Sequence, residues 1–262
     1  MREETLIFKD VALLITHYNR SLSLERLLKS FEDIHIRFNE IIVSDDCSDE
    51  KHLTRLNQLK EKHNFKLVSS DKNRGLGNNI NKGQQAVTSP FTLYIQEDFV
   101  PKAAFRQRLK DAIDLIQKDT TIDMVRFYAY RKHPYLAPIK NGFSEIRFCF
   151  WWPSYWQFHC YSDHPHLKRS NFCKKFGNYA EGFNVDITEF KMVISFLKRK
   201  GKAVIHEDFQ KIFDQINSVQ EPSQASRKEF RKLLQSQNCL LIPRIIYRNT
   251  KARVRYLFWQ TS

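Results

Sequence analysis

The sequence lacks the long apolar runs that a membrane-spanning helix requires. None of the runs in its 262 residues reaches the roughly 18 to 20 residues needed to cross a bilayer. Only 7 glycines and 8 prolines are present, which excludes collagen-like and low-complexity chains. The N-terminal residues mix both charge signs and contain no apolar core of a signal peptide. We therefore expect a globular protein with a buried core that stays in the cytoplasm.

Cysteines are few, odd in number and widely spaced. No CxxC pair occurs among the five of them, which favours reduced thiols over a disulfide framework. Residues 159–173 combine histidines with two of these cysteines, but their spacing matches no common zinc motif. The sequence therefore predicts neither redox chemistry nor a structural zinc ion.

Acidic residues are missing from residue 230 to the C-terminus. The same stretch contains seven of the cations behind the formal net charge of +14. These cations are Arg231, Lys232, Arg244, Arg248, Lys251, Arg253 and Arg255. Leu, Ile, Tyr, Phe and Trp lie between them, a mixture typical of a segment that rests on an anionic membrane surface. The alternative is a C-terminal element packed on the core with solvated cations, and the sequence favours neither.

Short apolar runs alternate with helical patterns over the first hundred residues. Runs with the length and branched side chains of buried strands lie at residues 11–16, 41–43, 65–68 and 91–96. Helical spacing predicts helices at residues 24–31, 50–63 and 76–87, the first with Ser21 or Ser23 as its N-cap. This alternation indicates a mostly parallel sheet that binds ligands at the carboxyl ends of its strands.

The alternation stops after about residue 135. An aromatic stretch at residues 148–156 and a histidine-rich loop follow, and we expect them to shape the binding of a substrate. Trp151 and its aromatic neighbours could stack on sugar faces or lie in the core. Apolar spacing predicts one further helix at residues 187–200, which Gly201 would end.

Polar residues follow three of the predicted strands where each strand ends. The first strand leads to Tyr18–Asn19, the second to Asp45–Asp46 and the fourth to Glu97–Asp98. Acidic groups gathered at one sheet edge repel each other unless cations or hydrogen-bond donors compensate them. A Mg²⁺ or Mn²⁺ ion, held by one or two carboxylates and the phosphates of a substrate, is one such compensation. The pattern therefore suits an enzyme of nucleotide sugars or nucleoside triphosphates. The alternative is that these acids only cap helices.

Four motifs in order carry a resemblance to a known family. They are VALLITHYNR, IIVSDDCSD, NRGLGNNINKGQQA and FTLYIQEDFVP, within residues 8–101. This succession resembles the nucleotide-binding half of the family 2 inverting glycosyltransferases, which have the GT-A fold. The resemblance implies a Rossmann-like nucleotide-binding half, a smaller acceptor-binding half, and a nucleoside-diphosphate sugar as donor.

The resemblance also implies which residues bind the donor. By position these are Thr16, Tyr18, Arg20, Asp45, Asp46, Asn73, Gly75, Asn81 and Glu97. Asp46, with Asp45, would accept hydrogen bonds from the nucleotide base, because a carboxylate only accepts. Family members often carry an arginine where this chain has Ile80, so that contact with the diphosphate would be missing or would come from Lys82 or Arg74.

The acidic motif departs from the family pattern. Gln96-Glu97-Asp98 stands where Asp-x-Asp or three acids are usual. Asp98 then becomes the principal ligand of a divalent Mn or Mg ion, and Glu97 its helper. Gln96 offers only a neutral carbonyl oxygen, which weakens the implied dependence on metal. His206 occupies a position where many GT-A enzymes supply a further contact with the metal or the diphosphate, and the alternative is a surface histidine with no such contact.

The second half resembles the family more loosely. By its register Glu189 takes the position of the catalytic base, which would remove the proton of the acceptor hydroxyl. Asp186 is the rival for this role. Either acid could instead be a helix N-terminal residue that interacts with the helix dipole.

These patterns lead to one prediction and two alternatives. We expect an α/β protein with a GT-A catalytic domain at residues 1–225, divided into donor (8–101) and acceptor (102–225) halves, and a basic, aromatic helical segment at 226–262. It would transfer a sugar, from a UDP-sugar by preference, to a hydroxyl of a glycan or lipid-linked glycan, with inversion. A cytoplasmic protein peripheral to the membrane would fit the basic segment. The alternatives are a nucleic-acid or anionic-polymer binder, suggested by a pI near 9.6, and an inactive member of the family.

Overall fold

The computed structural model describes residues 4–217, 220–222 and 241–259. Its strands are β1 (Leu6–His17), β2 (Ile36–Asp45), β3 (Lys66–Ser69), β4 (Phe91–Gln96), β5 (Phe99–Pro101), β6 (Met124–Arg126), β7 (Leu136–Lys140), β8 (Phe143–Ile146), β9 (His166–Arg169), β10 (Ala203–His206) and β11 (Phe213–Gln215). Its α-helices are α1 (Ser21–Asp33), α2 (Glu50–His63), α3 (Gly75–Gln85), α4 (Phe105–Lys118), α5 (Phe172–Phe176), α6 (Val185–Lys198) and α7 (Leu241–Phe258). Short 3₁₀ helices lie at Tyr155–Phe158 and Phe209–Lys211.

Nine of these strands form one sheet in the order β3-β2-β1-β4-β9-β6-β10-β8-β7. The strands β3, β2, β1 and β4 are parallel, as are β6 and β10. Strand β9 runs antiparallel between β4 and β6 and so joins the two halves of the chain into a single sheet. The expected α/β architecture is confirmed, with a parallel first half and a mixed second half.

Strand β1 shows how the sequence forms two core layers. Leu13 and Ile15 point to the face covered by α1 and α4, while Leu14 between them points to the face covered by α3 and α6. All three side chains are fully buried. A strand buried on both faces reads as a continuous apolar run, which is why residues 11–16 lack alternation.

The predicted alternation of strands and helices in the first half is confirmed. Helix α2 has the predicted bounds, and α1 and α3 begin and end within a few residues of their predicted positions. The predicted N-cap of α1 is wrong, because Ser21 and Ser23 both lie inside the helix. The carboxylate of Glu221 instead accepts hydrogen bonds from the amides of Leu22 and Ser23, at 2.9 and 2.8 Å.

The C-terminal part is described in part. The predicted boundary between residues 225 and 226 lies outside the described residues, as do Arg231 and Lys232. Within the described ranges, no helix combines the length and apolar composition that crossing a bilayer requires. Helix α7 packs on the 3₁₀ helix Tyr155–Phe158 and on α6, so the basic segment contacts the body of the protein.

The close packing of α3 on the sheet makes a prediction for Gly83. A Cβ atom there would lie 2.6 Å from Cδ1 of Leu14 and 2.9 Å from Cβ of Ser44. We expect Gly83→Ala to lower the free energy of unfolding by about 1–2 kcal/mol, because overpacking outweighs the helix propensity of alanine. Urea unfolding measures this loss.

The control for this substitution lies on the same helix. Gln85 is exposed, so Gln85→Ala should change the free energy of unfolding by no more than about 0.5 kcal/mol. A Gly83→Ala variant more stable than the wild type would contradict the close packing of α3 against β1 and β2.

Candidate functional site

The carboxyl ends of β1, β2 and β4 meet at one edge of the sheet. In the parallel register Thr16 pairs with Gln96, and His17 pairs with Asp45. The residues after these strands therefore come together, as the sequence predicts. We call this edge, with the loops that follow β1, β2 and β4, the strand-end site.

Asp45 faces the interior of the strand-end site. Its carboxylate bonds Nδ1 of His17 at 2.7 Å and accepts a hydrogen bond from the Ser48 amide at 3.0 Å. The side chains of His17 and Asp45 are both fully buried. Bonds from His17 and Ser48 lower the pKa of Asp45 against the opposing effect of burial, which is the largest single influence. Asp45 thus ties the ends of β1 and β2 together.

Asp46 lies at the N-terminus of α3. Its carboxylate accepts hydrogen bonds from the amides of Arg74 and Gly75, at 2.9 and 2.7 Å. The amide of Gly75 also donates to Oδ1 of Asn73, at 3.1 Å. The structure therefore brings together Asp46, Asn73 and Gly75, three of the predicted donor-binding residues. A carboxylate has about four lone-pair sites, so Asp46 keeps the capacity to accept from a ligand.

Arg20 compensates the acids that follow β4. Its Nη1 lies 3.2 Å from Oε1 of Glu97 and 3.6 Å from Oδ2 of Asp98. All three side chains are almost entirely buried. Burial and the neighbouring Asp98 carboxylate raise the pKa of Glu97 to about 7, and Arg20 partly opposes this. The charge compensation that the sequence requires thus comes in part from the protein's own guanidinium.

The end of β11 and the residues after it contact Asp98 and its partner Arg20. Strand β11 pairs antiparallel with β5, which sets Gln215 beside Phe99. The amide of Gln215 donates to Oδ2 of Asp98 at 2.9 Å, and Arg20 donates to Oδ1 of Asn217 at 2.9 Å. Oδ1 of Asp98 is buried and has no hydrogen-bond partner among the described residues.

Three other predicted donor residues differ in their surroundings. Thr16 is buried and its hydroxyl bonds Tyr94 at 3.0 Å, whereas Tyr18 is half-buried. Asn81 is buried. Its side-chain Nδ2 donates to the backbone carbonyl of Tyr179, and its Oδ1 accepts from the backbone amide of Tyr179, each at 2.9 Å. The polar groups of Asn81 are therefore engaged within the protein. Ile80 is fully buried in the core.

Lys82 points towards the strand-end site. Its amine donates to the backbone carbonyl of Asp45 and to the hydroxyl of Ser70. Burial lowers its pKa, while the carboxylates of Asp46 and Asp45 oppose this effect. Lys82 is thus a second cation that compensates the acids of the strand-end site.

His206 lies at the end of β10, apart from Asp98. Strands β9 and β6 separate β10 from β4, which amounts to three strand spacings or roughly 14 Å. Its Nδ1 accepts a hydrogen bond from the Asp208 amide at 3.2 Å, and its ring meets Phe143 edge-on. Among the described residues, no three His, Cys, Asp or Glu side chains come close enough to hold a metal ion together.

Asp163 and Glu189 form a second acidic pair. Glu189, in the first turns of α6, accepts a hydrogen bond from the Asp163 amide at 3.2 Å. Burial and the charge of Glu189 raise the pKa of Asp163 to about 7, and burial also raises the pKa of Glu189. Oδ2 of Asp163 is buried and has no hydrogen-bond partner in the described part of the chain. Asp186, the predicted rival, is exposed.

The antiparallel strand β9 brings this pair to the strand-end site. His166 pairs with Tyr94, so Asp163, three residues earlier, lies past the carboxyl end of β4. Sequence reasoning missed Asp163 because its position depends on that antiparallel pairing, for which the sequence gives no local signal. The same holds for Gln215, whereas the histidine in His17-Tyr18-Asn19 could have been recognised as the partner of a buried acid.

Comparison with known proteins decides the family. The model of glycosyl transferase family 2 matches residues 12–176, which is more than half of the chain. The chain belongs to glycosyl transferase family 2. The matched residues include the carboxyl ends of β1, β2 and β4, which form the strand-end site of this family 2 protein, and the whole of β9.

One curated relative is similar to part of the chain. Poly-beta-1,6-N-acetyl-D-glucosamine synthase of Staphylococcus epidermidis is 27% identical over 92 residues. The match covers 35% of this family 2 chain and 22% of the synthase. The chain thus spans about a fifth of the length of that relative.

Solved structures share the fold at low sequence identity. TarS 1-349 of S. aureus in complex with UDP-GlcNAc has a TM-score of 0.58 and 16% identity, covering 94% of this chain and 71% of that one. Mannosyltransferase PcManGT from Pyrobaculum calidifontis, with GDP-Man and Mn²⁺, has a TM-score of 0.58 and 13% identity, covering 96% and 76%. Against another crystal structure of TarS 1-349 the match covers 78% of this chain and 59% of that one. These likenesses show that the family 2 chain has the GT-A fold.

The raised pKa of Glu97 makes a prediction for stability. The folded state binds this proton more tightly than the unfolded state, so stability falls as the pH rises from the ordinary value of 4.5 to about 7. Glu97→Gln removes the titrating group. We expect this variant to gain stability relative to the wild type across that range, with a constant difference at higher pH.

Urea unfolding at a series of pH values measures this gain. Glu61→Gln, the same change on the exposed side of α2, is the control and should follow the wild type. A stability difference between Glu97→Gln and the wild type that stays flat from pH 4 to 8 would show that the Glu97 carboxyl titrates alike in both states.

Proposed function

We propose that this chain transfers a sugar from a nucleoside-diphosphate sugar to a hydroxyl of a glycan or lipid-linked glycan, with inversion. The observation that carries the proposal is the presence of two acidic pairs at the carboxyl end of β4. Glu97 and Asp98 follow this strand directly, and Asp163 lies past its end with its amide bonded to Glu189. Membership of family 2 supports sugar transfer, and neighbours solved with UDP-GlcNAc, UDP and GDP-Man support this class of donor.

The nucleotide base would bind near the N-terminus of α3. Asp46 is fixed there by two backbone amides and can accept an N–H from a base such as uracil. Tyr18 is half-buried at the end of β1, where its ring can border the nucleotide. The exposed side chain of Arg74 and the amine of Lys82 lie near Asp46 and offer positive charge to a diphosphate.

Asp98 fits the role of metal ligand. The buried Oδ1 without a hydrogen-bond partner is an oxygen atom ready to bind a cation. One or two carboxylates suffice for Mg²⁺ or Mn²⁺ when the substrate supplies phosphate oxygens. A divalent ion held there would neutralise charge on the departing nucleoside diphosphate. Two neighbours of this fold were solved with Mn²⁺.

Glu189 would act as the catalytic base, with Asp163 as its partner. Inversion needs a single displacement, in which a base takes the acceptor's proton as its oxygen attacks the anomeric carbon and the diphosphate leaves. Two neighbouring buried carboxyl groups share protons, because both cannot easily be charged in a site with little water. The raised pKa of Asp163, about 7, suits a group that accepts a proton near neutral pH.

Calorimetric titration of UDP and GDP, with and without Mn²⁺, tests the donor side. We expect Mn²⁺ to strengthen the binding of one nucleotide. Asp98→Asn should abolish most of that gain and so raise the Kd in the presence of Mn²⁺ by about tenfold or more. Asp33→Asn, an exposed acid at the end of α1, is the matched control. Failure of both nucleotides to bind under any metal condition would refute the donor assignment.

The acceptor side is tested by the rate of UDP release from the UDP-sugar that binds best. Glu189→Gln should lower this rate by about 10²–10⁴-fold and leave UDP binding unchanged, because only proton removal is lost. Loss of rate in Asp186→Asn, with normal activity in Glu189→Gln, would assign the base to Asp186 instead.

The pH profile of this rate tests the coupling of the two acids. In the wild type the rate should rise as the pH increases to about 7, because the pair must lose a proton. Asp163→Asn removes the negative charge next to Glu189, so this rise should move to lower pH. An unchanged profile in Asp163→Asn would show that Asp163 does not share the proton.

A further inference from the structure

Helix α7 is attached to the protein along one side. Ala252 and Asn249 are buried there, and the side-chain amide of Asn249 donates to the backbone carbonyl of Pro153 at 2.8 Å. On the same side the ring of Tyr256 lies 5.6 Å from the rings of Phe148 and Phe150. The side that faces the protein thus contains a polar amide as well as an aromatic ring.

The opposite side of α7 is exposed and largely apolar, with Thr250 as a polar residue within it. Its exposed fractions are 60% for Ile246, 61% for Tyr247, 48% for Val254, 58% for Leu257 and 76% for Phe258. At about 100° per residue, all five lie within about 60° of the direction opposite Ala252. We call these five residues the α7 face. A helix on the surface of a soluble protein normally turns its apolar side to the core, so this orientation is inverted.

Trp151 extends the apolar surface beyond the helix. It is 82% exposed, and its ring lies 5.0 Å from that of Phe150. Arg253 of α7 donates to the carbonyls of Phe150 and Trp152, at 3.3 and 2.7 Å, and so holds the loop on both sides of Trp151. Tryptophan is enriched where protein meets the headgroup region of a bilayer.

Cations border the α7 face on both sides. Lys251 lies along one border and Arg253 along the other, by their helical positions. Arg255 lies nearer the protein, with its guanidinium 5.4 Å from the ring of Phe190. The sequence contains no acid from residue 230 to its end.

Two copies of this helix placed face to face would bring like charges together, which disfavours a second copy as the partner that covers the α7 face. Nucleic acid would leave the five apolar side chains without a partner.

We propose that the α7 face, together with Trp151, docks on the surface of an anionic lipid bilayer. The apolar side chains would enter the boundary between headgroups and acyl chains, and the bordering cations would meet anionic headgroups. This inference goes beyond sugar transfer, since binding needs neither donor nor acceptor. It would bring the strand-end site close to acceptors that are carried by lipids.

Co-sedimentation of the full chain with vesicles tests the proposal. We expect the protein to pellet with phosphatidylcholine vesicles that contain about one third phosphatidylglycerol, less with pure phosphatidylcholine, and less again at high salt. The double substitution Leu257→Ser/Phe258→Ser should weaken this binding by about tenfold or more. Ile7→Ser/Ile139→Ser, which removes two exposed apolar residues elsewhere, is the matched control and should bind as the wild type does.

Two further measurements separate the possible failures. UDP calorimetry and thermal unfolding of each variant verify that the fold and the strand-end site are intact, so a loss of vesicle binding reports on the α7 face alone. Equal pelleting of Leu257→Ser/Phe258→Ser and the wild type would overturn the proposal. So would a wild-type dimer in light scattering that this double substitution dissociates, because a second copy would then cover the face.

Discussion

The ion pairs of Arg20 with Glu97 and Asp98 hold together three separate parts of the chain. Arg20 immediately precedes α1, the two acids follow β4, and Asn217 after β11 bonds the same guanidinium. Buried carboxylates are stable only when cations or hydrogen-bond donors compensate them. Removing the cation of a buried pair typically costs about 3–5 kcal/mol, because the acids are then left uncompensated. The strand-end site therefore depends on this pairing for its geometry before any ligand binds.

The other acids of the site are compensated in different ways, which separates their roles. Asp45 is closed off by His17 and Ser48, whereas Asp46 is held by amides at the start of α3 and keeps free acceptor positions. Asp98 retains an oxygen without a hydrogen-bond partner in the described residues. These differences support Asp46 and Asp98 as the residues that meet the donor, with Asp45 as a positioning residue.

Sequence patterns predicted what depends on neighbours in the chain. Apolar runs and helical spacing located β1 to β4 and α1 to α3, because burial on both sheet faces leaves a local signal. The ends of the predicted strands located the acids after β2 and β4, and the resemblance implied their roles. Contacts between distant segments were not predictable, since they depend on antiparallel pairing. The pairing of β9 with β4 carries Asp163 past the end of β4, and the pairing of β11 with β5 sets Gln215 against Asp98. His206 was assigned near Asp98, but two strands lie between them.

A crystal structure with UDP and Mn²⁺ tests the central claim most directly, which is that the strand-end site binds a nucleotide sugar. The account predicts the base beside Asp46 and the diphosphate next to Asp98, with the ion in contact with the Asp98 carboxylate. It also predicts that Glu189 and Asp163 face the space beyond the diphosphate. UDP bound elsewhere on the protein, with Arg20 still paired to Glu97 and Asp98 as here, would contradict it.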